Sequence, residues 1–217
     1  MNKSAENILI RPFEMADKNA VREISYQTAF LERAKEFCDD PNLLMDSLTI
    51  YFTDFEPGSC FVACLGGKVI GYLLGTKNVR EMNRICFLRI WPRLIKKFLK
   101  TGGIFNKKYA ALFKNIIVSF FRGEFFAPDL TRPYPALFHI NVQREYRSQG
   151  VGDKLVASFL KFLKENQIPG VFISTFSDSA KGFFLKKGFR VVFESRRTYF
   201  RQVLRRDIQA YLMVKTL

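Results

Sequence analysis

The sequence predicts an α/β fold, and three features of its second half predict it. An apolar run at Ala136–Val142 is typical of a strand and leads into the glycine turn Arg147–Gly152. A helix follows at once, because apolar residues recur three and four positions apart over 155–163. A Pro-Gly pair then breaks the chain, and the apolar run 171–176 predicts a second buried strand. Strands that alternate with helices in this way favour an α/β architecture.

The turn that contains Gly150 and Gly152 is a candidate anion site. The start of a helix presents unpaired backbone N–H groups and the positive end of the helix dipole. Glycine also lets a phosphate approach the backbone where a Cβ atom would obstruct it. Three interpretations compete: a plain strand-to-helix turn, a dinucleotide-binding turn, which would need a third glycine, and a pyrophosphate loop. The downstream sequence decides in favour of the last.

A short helix with clear end signals follows the second strand. Ser177 or Ser179 can cap its N-terminus. Gly188 stands where a helix ends in a left-handed residue, and Phe189 begins the next strand. The order strand, Q/RxxGxG/A, helix, strand and N-x-x-A-x-x-F-Y-x-x-x-G-F resembles the central pattern of the GNAT superfamily of N-acetyltransferases.

The resemblance extends over most of the chain except about 77–133. The opening Ile8–Pro12, followed by Asp17 and a helical segment, resembles the "IRP…D" start of that family. The segment Ser59–Gly75 reads as a hairpin around two glycines, and its "VIGYLLG" is similar to a family strand. The tail Tyr211–Leu217 resembles the closing strand.

The resemblance implies the acyl-CoA N-acyltransferase (GNAT) fold, a mixed and mostly antiparallel sheet of about six or seven strands flanked by helices. It implies a single domain over 1–217 that includes a helical insert at about 77–133. It also implies that the central parallel strands splay apart and that acetyl-CoA, the acyl donor, sits in the gap. More narrowly, 48–63 and 134–152 resemble acetyltransferase domains related to the one fused to some O-GlcNAc hydrolases.

Composition limits the class of protein. A chain of 217 residues, 48% of them hydrophobic, has the length of one domain and can bury a full core. We expect no signal peptide, and no apolar run approaches the roughly 18–20 residues that span a bilayer, so a cytoplasmic protein is expected. Cys60 and Cys64 fall among apolar residues and are expected to be buried free thiols. No metal is expected, since the chain has one histidine.

The predicted insert carries most of the excess positive charge. Between Lys77 and Gly123 there are twelve Lys or Arg residues against one Glu, in a chain of net charge +15. Apolar residues repeat at helical spacing in two rows, with lysines elsewhere, so two or three amphipathic helices are predicted. The first row shares one helical face and holds Leu94, Ile95, Phe98 and Leu99. The second row runs from Tyr109 to Phe121.

Four roles for the insert stay open at this point. It is a lid with its cations in solvent, a surface that binds the acceptor or the CoA phosphates, or a peripheral contact with an anionic membrane. The fourth role is nucleic-acid binding, which is not expected, because the lysines alternate with a core-like apolar stripe and no known binding motif appears. The oligomeric state is not predicted, since a lid and a dimer surface have the same periodicity.

The resemblance assigns the donor site to the motif strand and the turn. The backbone of the strand would pair with the pantetheine arm, one of its N–H groups would stabilise the oxyanion, and the N–H groups of 149–153 would hold the pyrophosphate. Arg147 would add positive charge. The donor-binding residues so assigned are Ile140, Val142, Arg147, Ser148, Gln149, Gly150, Val151, Gly152, Asp153 and Phe184.

One donor-site position departs from the family. Phe184 stands where a tyrosine commonly protonates the departing thiolate, and a phenylalanine has no proton to donate. A positioned acid typically contributes about 10²–10⁴-fold, but a thiol pKa near about 8.5 makes the thiolate a tolerable leaving group. Tyr134, Tyr146 or an ordered water are alternative donors.

The candidates for the base are Glu56, His139 and Asn141. Glu56 precedes the second strand, where relatives often carry an acidic residue near the acceptor; the alternative is a solvated turn carboxylate. His139 would accept a proton through water as a neutral imidazole, or it is a structural histidine. Asn141 occupies a position that is often Asp in the subgroup, and its amide would orient water or substrate.

The function predicted from these residues is acetyl transfer from acetyl-CoA to a primary amine on a small molecule or peptide. The alternative, favoured by Phe184, is a sensor or adaptor that binds acetyl-CoA with weak or no catalysis. A basic surface favours acidic or neutral acceptors over polyamines, because like charges repel during approach.

Overall fold

The computed structural model describes residues 8–100, 107–199 and 201–217. The first seven residues, where no signal peptide is expected, lie outside this part of the chain. So do residues 101–106 of the predicted insert.

The described residues form one mixed sheet of seven strands, in the order β1-β2-β3-β4-β5-β7-β6. All neighbouring strands are antiparallel except β4 and β5, which run parallel. This confirms the predicted fold. The strands are β1 Leu9–Pro12, β2 Cys60–Leu65, β3 Lys68–Thr76, β4 Ala136–Val142, β5 Gly170–Thr175, β6 Arg190–Arg197 and β7 Ile208–Thr216.

Helices cover both faces of the sheet. A π-helical turn at Cys86–Ile90 joins two helices of the predicted insert, and short 3₁₀ turns stand at Met15–Asp17, Pro57–Ser59 and Arg144–Tyr146. The helices are α1 Lys18–Glu32, α2 Ala34–Phe37, α3 Pro41–Asp54, α4 Val79–Ile85, α5 Trp91–Lys100, α6 Lys107–Phe121, α7 Val151–Glu165, α8 Asp178–Lys186 and α9 Arg201–Leu204.

The two faces of the sheet hold separate hydrophobic cores. On one face, α7 and α8 cover a cluster that includes Leu73 and Phe159, both fully buried. On the other face, α1, α3 and α5 cover a cluster that includes Val21, Tyr72 and Leu94. Each fully buried aliphatic or aromatic side chain stabilises the fold by about 1.5–3 kcal/mol. The sheet is therefore held from both sides, and its rigid strands can position side chains on either face.

Capping and turn residues stand at the ends of several elements, where the sequence predicted them. Ser177 is the N-cap of α8 and accepts a hydrogen bond from the Ala180 N–H. Gly188, just past α8, has φ +77°, the left-handed conformation predicted for it. The β2–β3 turn consists of Gly66 and Gly67, both with positive φ, as a tight hairpin turn requires.

The "IRP…D" segment makes an ion pair between a partly exposed Arg11 and a buried Asp17. The Arg11 guanidinium donates to both carboxylate oxygens of Asp17, at 2.6 and 2.7 Å, and the Glu14 N–H donates to the same carboxylate at 2.9 Å. These hydrogen bonds hold the pKa of Asp17 below its usual range. The segment therefore fastens β1 to the start of α1.

The apolar face predicted for the first insert helix is divided in the structure. Leu94 is buried against the α3 side and Phe98 is half-buried. Ile95 and Leu99 are 54% and 49% exposed. The apolar face of α5 is therefore divided between a core-facing pair, Leu94 and Phe98, and a solvent-facing pair, Ile95 and Leu99.

Candidate active site

The parallel strands β4 and β5 separate after a short contact. Their register contains two pairs, Ala136 with Val171 and Leu137 with Phe172. β4 continues from there to Val142 and β5 continues to Thr175. The strands splay as predicted, and they leave a gap in the centre of the sheet.

The backbone of β4 turns hydrogen-bonding groups into this gap. The Gln143 N–H donates to the Ile70 carbonyl of β3 at 2.9 Å. Because residues of an antiparallel pair point alternately toward and away from their partner, Ile140 and Val142 direct their N–H and C=O groups to the other edge. The Val142 carbonyl accepts a hydrogen bond from Arg147 Nε at 3.1 Å. The Ile140 and Val142 N–H groups therefore face the gap between β4 and β5.

The helix α7 begins at the open end of the gap. Its N-cap, Gly150, has φ +78° and provides no side-chain cap. A Cβ atom built on Gly150 would find nothing within 4 Å. The first N–H groups of a helix have no acceptor inside the helix, and the Lys154 N–H donates to the Gly150 carbonyl at 3.1 Å. Open space and free donors therefore coincide at this turn.

The polar side chains of the turn are partly engaged within the protein. Arg147 Nη1 lies 2.7 Å from a carboxylate oxygen of Glu32 in α1. Gln149 Nε2 donates to the Glu145 carbonyl at 2.8 Å. Ser148 has φ +61°, a left-handed conformation that is uncommon for a residue with a side chain. The cation of Arg147 is thus shared with a carboxylate that the sequence did not point to.

One residue of α8 and the residue just after it lie beside the turn and were not among the predicted site residues. Lys187, which follows the last residue of α8, forms an ion pair with Asp153 in the first turn of α7. The ring of Phe183 lies 3.5 Å from a Cβ atom built on Gly152. Residues four positions apart share one side of a helix, so Phe183 and Lys187 could have been found by asking which face of α8 the motif directs toward α7.

Phe184 is part of an aromatic cluster in the core. It is 5% exposed, and its ring centroid lies 5.8 Å from that of Phe138 in β4 and 5.4 Å from that of Phe189. The alternative acid Tyr134 lies at the paired end of β4 and β5, because its ring packs over Gly170. Its hydroxyl accepts a hydrogen bond from Arg190 at 3.0 Å. Tyr134 is therefore at the wrong end of the strands for an acid in the gap.

Tyr146 lies in the 3₁₀ turn before the glycine loop. It packs against the core on the α7 side and is half-buried. Of the two alternative tyrosines, it is the one at the open end of the gap.

His139 and Asn141 lie together on the face of β4 that α1 covers. Asn141 Nδ2 is 2.8 Å from the Tyr72 hydroxyl and 2.9 Å from His139 Nε2. Tyr72, in β3, is fully buried and is the register partner of Asn141. Desolvation lowers the pKa of His139 to about 4, so the imidazole is neutral at physiological pH.

Glu56 lies apart from this pair, at the end of β3. Its carboxylate accepts hydrogen bonds from the Tyr51 and Thr76 hydroxyls at 2.8 and 2.6 Å. It also accepts from the Ser59 hydroxyl at 2.7 Å and the Lys77 N–H at 2.9 Å. The carboxylate thus accepts four hydrogen bonds. Glu56 is half-buried and connects α3, the 3₁₀ turn and β3, and it is not a solvated turn residue.

In the described part of the chain, no group of three or more His, Cys, Asp or Glu side chains is arranged to hold a metal ion. Cys60 and Cys64 are buried on β2 as free thiols, and desolvation raises the pKa of both.

A sheet whose central parallel strands separate, with the N-terminus of a helix at the open end of the gap, is typical of one class of proteins. Comparison with known sequences shows which class this is. The chain belongs to the acetyltransferase (GNAT) family, which matches residues 26–189. Its curated relatives include the protein O-GlcNAcases of Rattus norvegicus and Mus musculus, each 24% identical over 173 residues. The match covers 79% of this chain and 19% of each relative, so the chain spans about a fifth of their length.

Solved structures share the fold over nearly the full length of the chain. The crystal structure of SsHAT is 19% identical, with 97% of this chain and 98% of that one covered and a TM-score of 0.72. A polyamine N-acetyltransferase of Drosophila melanogaster is 13% identical, covers 97% and 100%, and has a TM-score of 0.60. A phosphinothricin acetyltransferase of Sinorhizobium meliloti, solved with acetyl-CoA, is 15% identical, covers 97% and 89%, and has a TM-score of 0.60.

Proposed function

We propose that this protein transfers an acetyl group from acetyl-CoA to a primary amine. The observation that carries the proposal is the coincidence of the β4–β5 gap with the start of α7 at Gly150. Membership of the acetyltransferase (GNAT) family and the acetyl-CoA bound in the Sinorhizobium meliloti structure support it.

The donor would lie along β4 and reach the turn with its pyrophosphate. The open space at Gly150 accommodates a bulky anion, and the N–H groups of residues 149–153 provide donors for it. Lys187 and Arg147, each paired with one carboxylate, supply positive charge at the rim. The donor supplies an activated acetyl thioester. The Ile140 or Val142 N–H would stabilise the oxyanion that forms when an amine attacks this thioester.

The acceptor amine would approach from the face that carries His139 and Asn141. A neutral imidazole can take up the amine proton through a water molecule, and the pKa of about 4 keeps His139 in that form. Asn141 would hold the ring and the water in position, since its amide contacts His139 directly. The net charge of +15 favours acidic or neutral amines as acceptors.

A second candidate function is an acetyl-CoA-binding sensor or adaptor with weak or no catalysis. Phe184 favours it, because this buried ring carries no hydroxyl that could protonate the thiolate. Enzyme and sensor share the donor site and differ in turnover.

Calorimetric titration with acetyl-CoA tests the donor site. We expect micromolar binding that Gly150→Glu abolishes, since the new side chain would occupy and repel the pyrophosphate position. Gly67→Glu is the matched control, because Gly67 has φ +79° and open space around it but lies in the β2–β3 turn. Loss of binding in both variants, or no binding by the natural chain, would overturn the proposal.

Thiol release during incubation with a panel of amines separates enzyme from sensor. Acetyl-CoA-dependent release that requires an amine, together with an acetylated product detected by mass spectrometry, supports the enzyme. Tight binding without amine-dependent release supports the sensor. Spermidine turned over faster than amino acids and acidic peptides would contradict the predicted acceptor charge.

A further inference from the structure

The insert exposes an apolar surface that the proposed acetyl transfer does not use. We define this apolar stripe by five side chains on α5 and the π-helical turn before it. The exposed fractions are 74% for Phe87, 61% for Leu88, 50% for Trp91, 54% for Ile95 and 49% for Leu99. Their spacing of three and four positions places them on one side of the helical segment. So many large exposed apolar residues on one surface mark an interaction site.

The stripe is presented by a docked helix. Ile90 and Leu94 are each 5% exposed and pack in the core with α3. Lys97 Nζ lies 3.2 Å from Asp46 Oδ2 in α3. The opposite side of α5 is therefore fixed to the protein, and the stripe faces outward because the helix is anchored in this orientation.

A second exposed apolar row adjoins the stripe. The ring of Phe98 in α5 lies 5.2 Å from that of Tyr109 and 6.2 Å from that of Phe113, both in α6. Along α6, four large apolar side chains are exposed: Phe113, Ile117, Phe120 and Phe121. The two helices thus meet through aromatic rings and expose apolar residues on both sides of the contact.

Positive charge surrounds the apolar residues. The sequence from Met82 to Gly123 contains no Asp or Glu. Arg93, Lys96 and Lys100 are exposed on α5 and form no ion pair among the described residues. Because the local charge is of one sign, the surface is complementary to an anionic partner and repels a second copy of itself.

We propose that α5 and the turn before it bind the surface of an anionic lipid bilayer. The apolar stripe would enter the boundary between headgroups and acyl chains, and the flanking cations would contact lipid phosphates and carboxylates. Trp91 is suited to that boundary, where an aromatic ring has one apolar and one hydrated side. Within the described ranges, no helix combines the length and the apolar composition needed to cross a bilayer.

The partner is a membrane rather than a nucleic acid because of the exposed apolar residues. Binding to a phosphate backbone depends on cations, and exposed Phe87, Leu88 and Ile95 would add nothing to it. A bilayer can bind both the apolar stripe and the flanking cations, since apolar burial and electrostatic attraction each contribute to the binding of interfacial helices.

Sedimentation of the full chain with vesicles tests the proposal. We expect binding to vesicles with about a third phosphatidylserine at about 0.05 M salt, and at least about tenfold weaker binding at about 0.5 M salt or to phosphatidylcholine alone. The single tryptophan, Trp91, reports the contact directly. Its emission should shift to shorter wavelength on binding and be quenched by lipids brominated near the headgroup.

Two sets of variants identify the surface. Arg93→Glu, Lys96→Glu and Lys100→Glu together should lower vesicle affinity at least about tenfold, and Phe87→Ser with Ile95→Ser should remove the sedimentation. Lys161→Glu, Lys164→Glu and Lys186→Glu make the same charge change on exposed residues outside the insert. This control set should keep most of the binding.

Three outcomes would overturn the proposal. The first is equal loss of binding in the insert set and the control set, which would indicate net charge alone. The second is a dimer in sedimentation velocity that Phe87→Ser with Ile95→Ser converts to a monomer, which would indicate that a second copy covers the stripe. The third is no sedimentation with anionic vesicles by a chain whose far-ultraviolet circular dichroism shows it to be folded.

Discussion

The side-chain amide of Asn141 lies 2.9 Å from the imidazole of His139, two residues earlier on the same strand. Successive side chains of a strand alternate between faces, so residues two apart share a face. The ring tautomer sets the direction of this contact. For Nδ1 to act as the base, Nε2 carries the ring proton and donates it to the Asn141 side chain, whose amide then presents its oxygen. The amide also contacts the Tyr72 hydroxyl, so the orientation of the imidazole is fixed from the adjacent strand.

Replacing His139 by Gln should lower kcat/KM about 100-fold if the imidazole takes up the amine proton. Acetyl-CoA affinity should not change, because the donor site is formed by backbone groups of other residues. Steady-state kinetics and calorimetry on the same preparation measure both quantities. Equal losses of donor affinity and rate would instead indicate a structural histidine.

The pH dependence of the rate should lack the usual histidine inflection. An amine acceptor titrating above about pH 8 gives log(kcat/KM) a slope of one against pH. A histidine base at its usual pKa of about 6.5 would raise that slope to two below this value. Because the pKa of His139 is lowered to about 4, we expect a slope of one from about pH 5 to 7. A slope of two would contradict a neutral His139.

Glu56→Gln should destabilise the protein more than it slows the reaction. In the natural chain the Glu56 carboxylate accepts four hydrogen bonds. The glutamine side chain replaces one acceptor oxygen with an N–H₂ group that faces hydrogen-bond donors, so some of these bonds must break. We expect a free energy of unfolding about 2–4 kcal/mol lower in urea titrations, with kcat within about threefold. The exposed Glu165→Gln is the control. A large loss of kcat at unchanged stability would make Glu56 catalytic.

Asp17→Asn should destabilise the protein in a pH-dependent way. The variant loses the bidentate ion pair with Arg11, which is itself partly exposed, so we expect about 2 kcal/mol at neutral pH. Since the folded pKa of Asp17 is lowered, the carboxylate stabilises the fold above its unfolded pKa, and this contribution is lost as pH falls through the folded value. Urea unfolding should show the two proteins converging below about pH 4. A difference that stays constant to low pH would contradict the assignment.

Phe184→Tyr should increase kcat about tenfold if thiolate departure limits the reaction, because the variant restores an acid at the family's tyrosine position. Phe189→Tyr is the matched control, since both rings belong to the same buried cluster. An increase in both variants would indicate altered packing. No increase in either would mean that the thiolate leaves without an acid from α8.

The sequence predicted the backbone of the site better than its side chains. Periodicity and glycine positions predicted the strands and the left-handed Gly188, because each depends on local conformational preferences. The splay was implied by the family resemblance alone. Contacts made across the fold were missed. Neither the Glu32–Arg147 pair nor the saturation of Glu56 has a local signature, because their partners are distant in sequence.

The insert is a second case in which sequence alone does not reveal contacts made across the fold. A row of apolar residues on a helix has one appearance in sequence whether it faces a core or solvent. Only the docking of α5 on α3 separates Leu94, which is buried, from Ile95, which is exposed. The assignment of 1–217 to a single domain stays a prediction.

The two register pairs between β4 and β5 also have a thermodynamic consequence. Without a ligand, the sheet consists of two sub-sheets, β1–β4 and β5–β7, joined by this short seam and by the helices packed across it. A donor lying in the gap would act as a surrogate strand. By mass action, a ligand at about 100 times its Kd adds about 2.7 kcal/mol to the free energy of unfolding. The resistance of the protein to heat and proteolysis would then increase with the concentration of the acyl donor in solution.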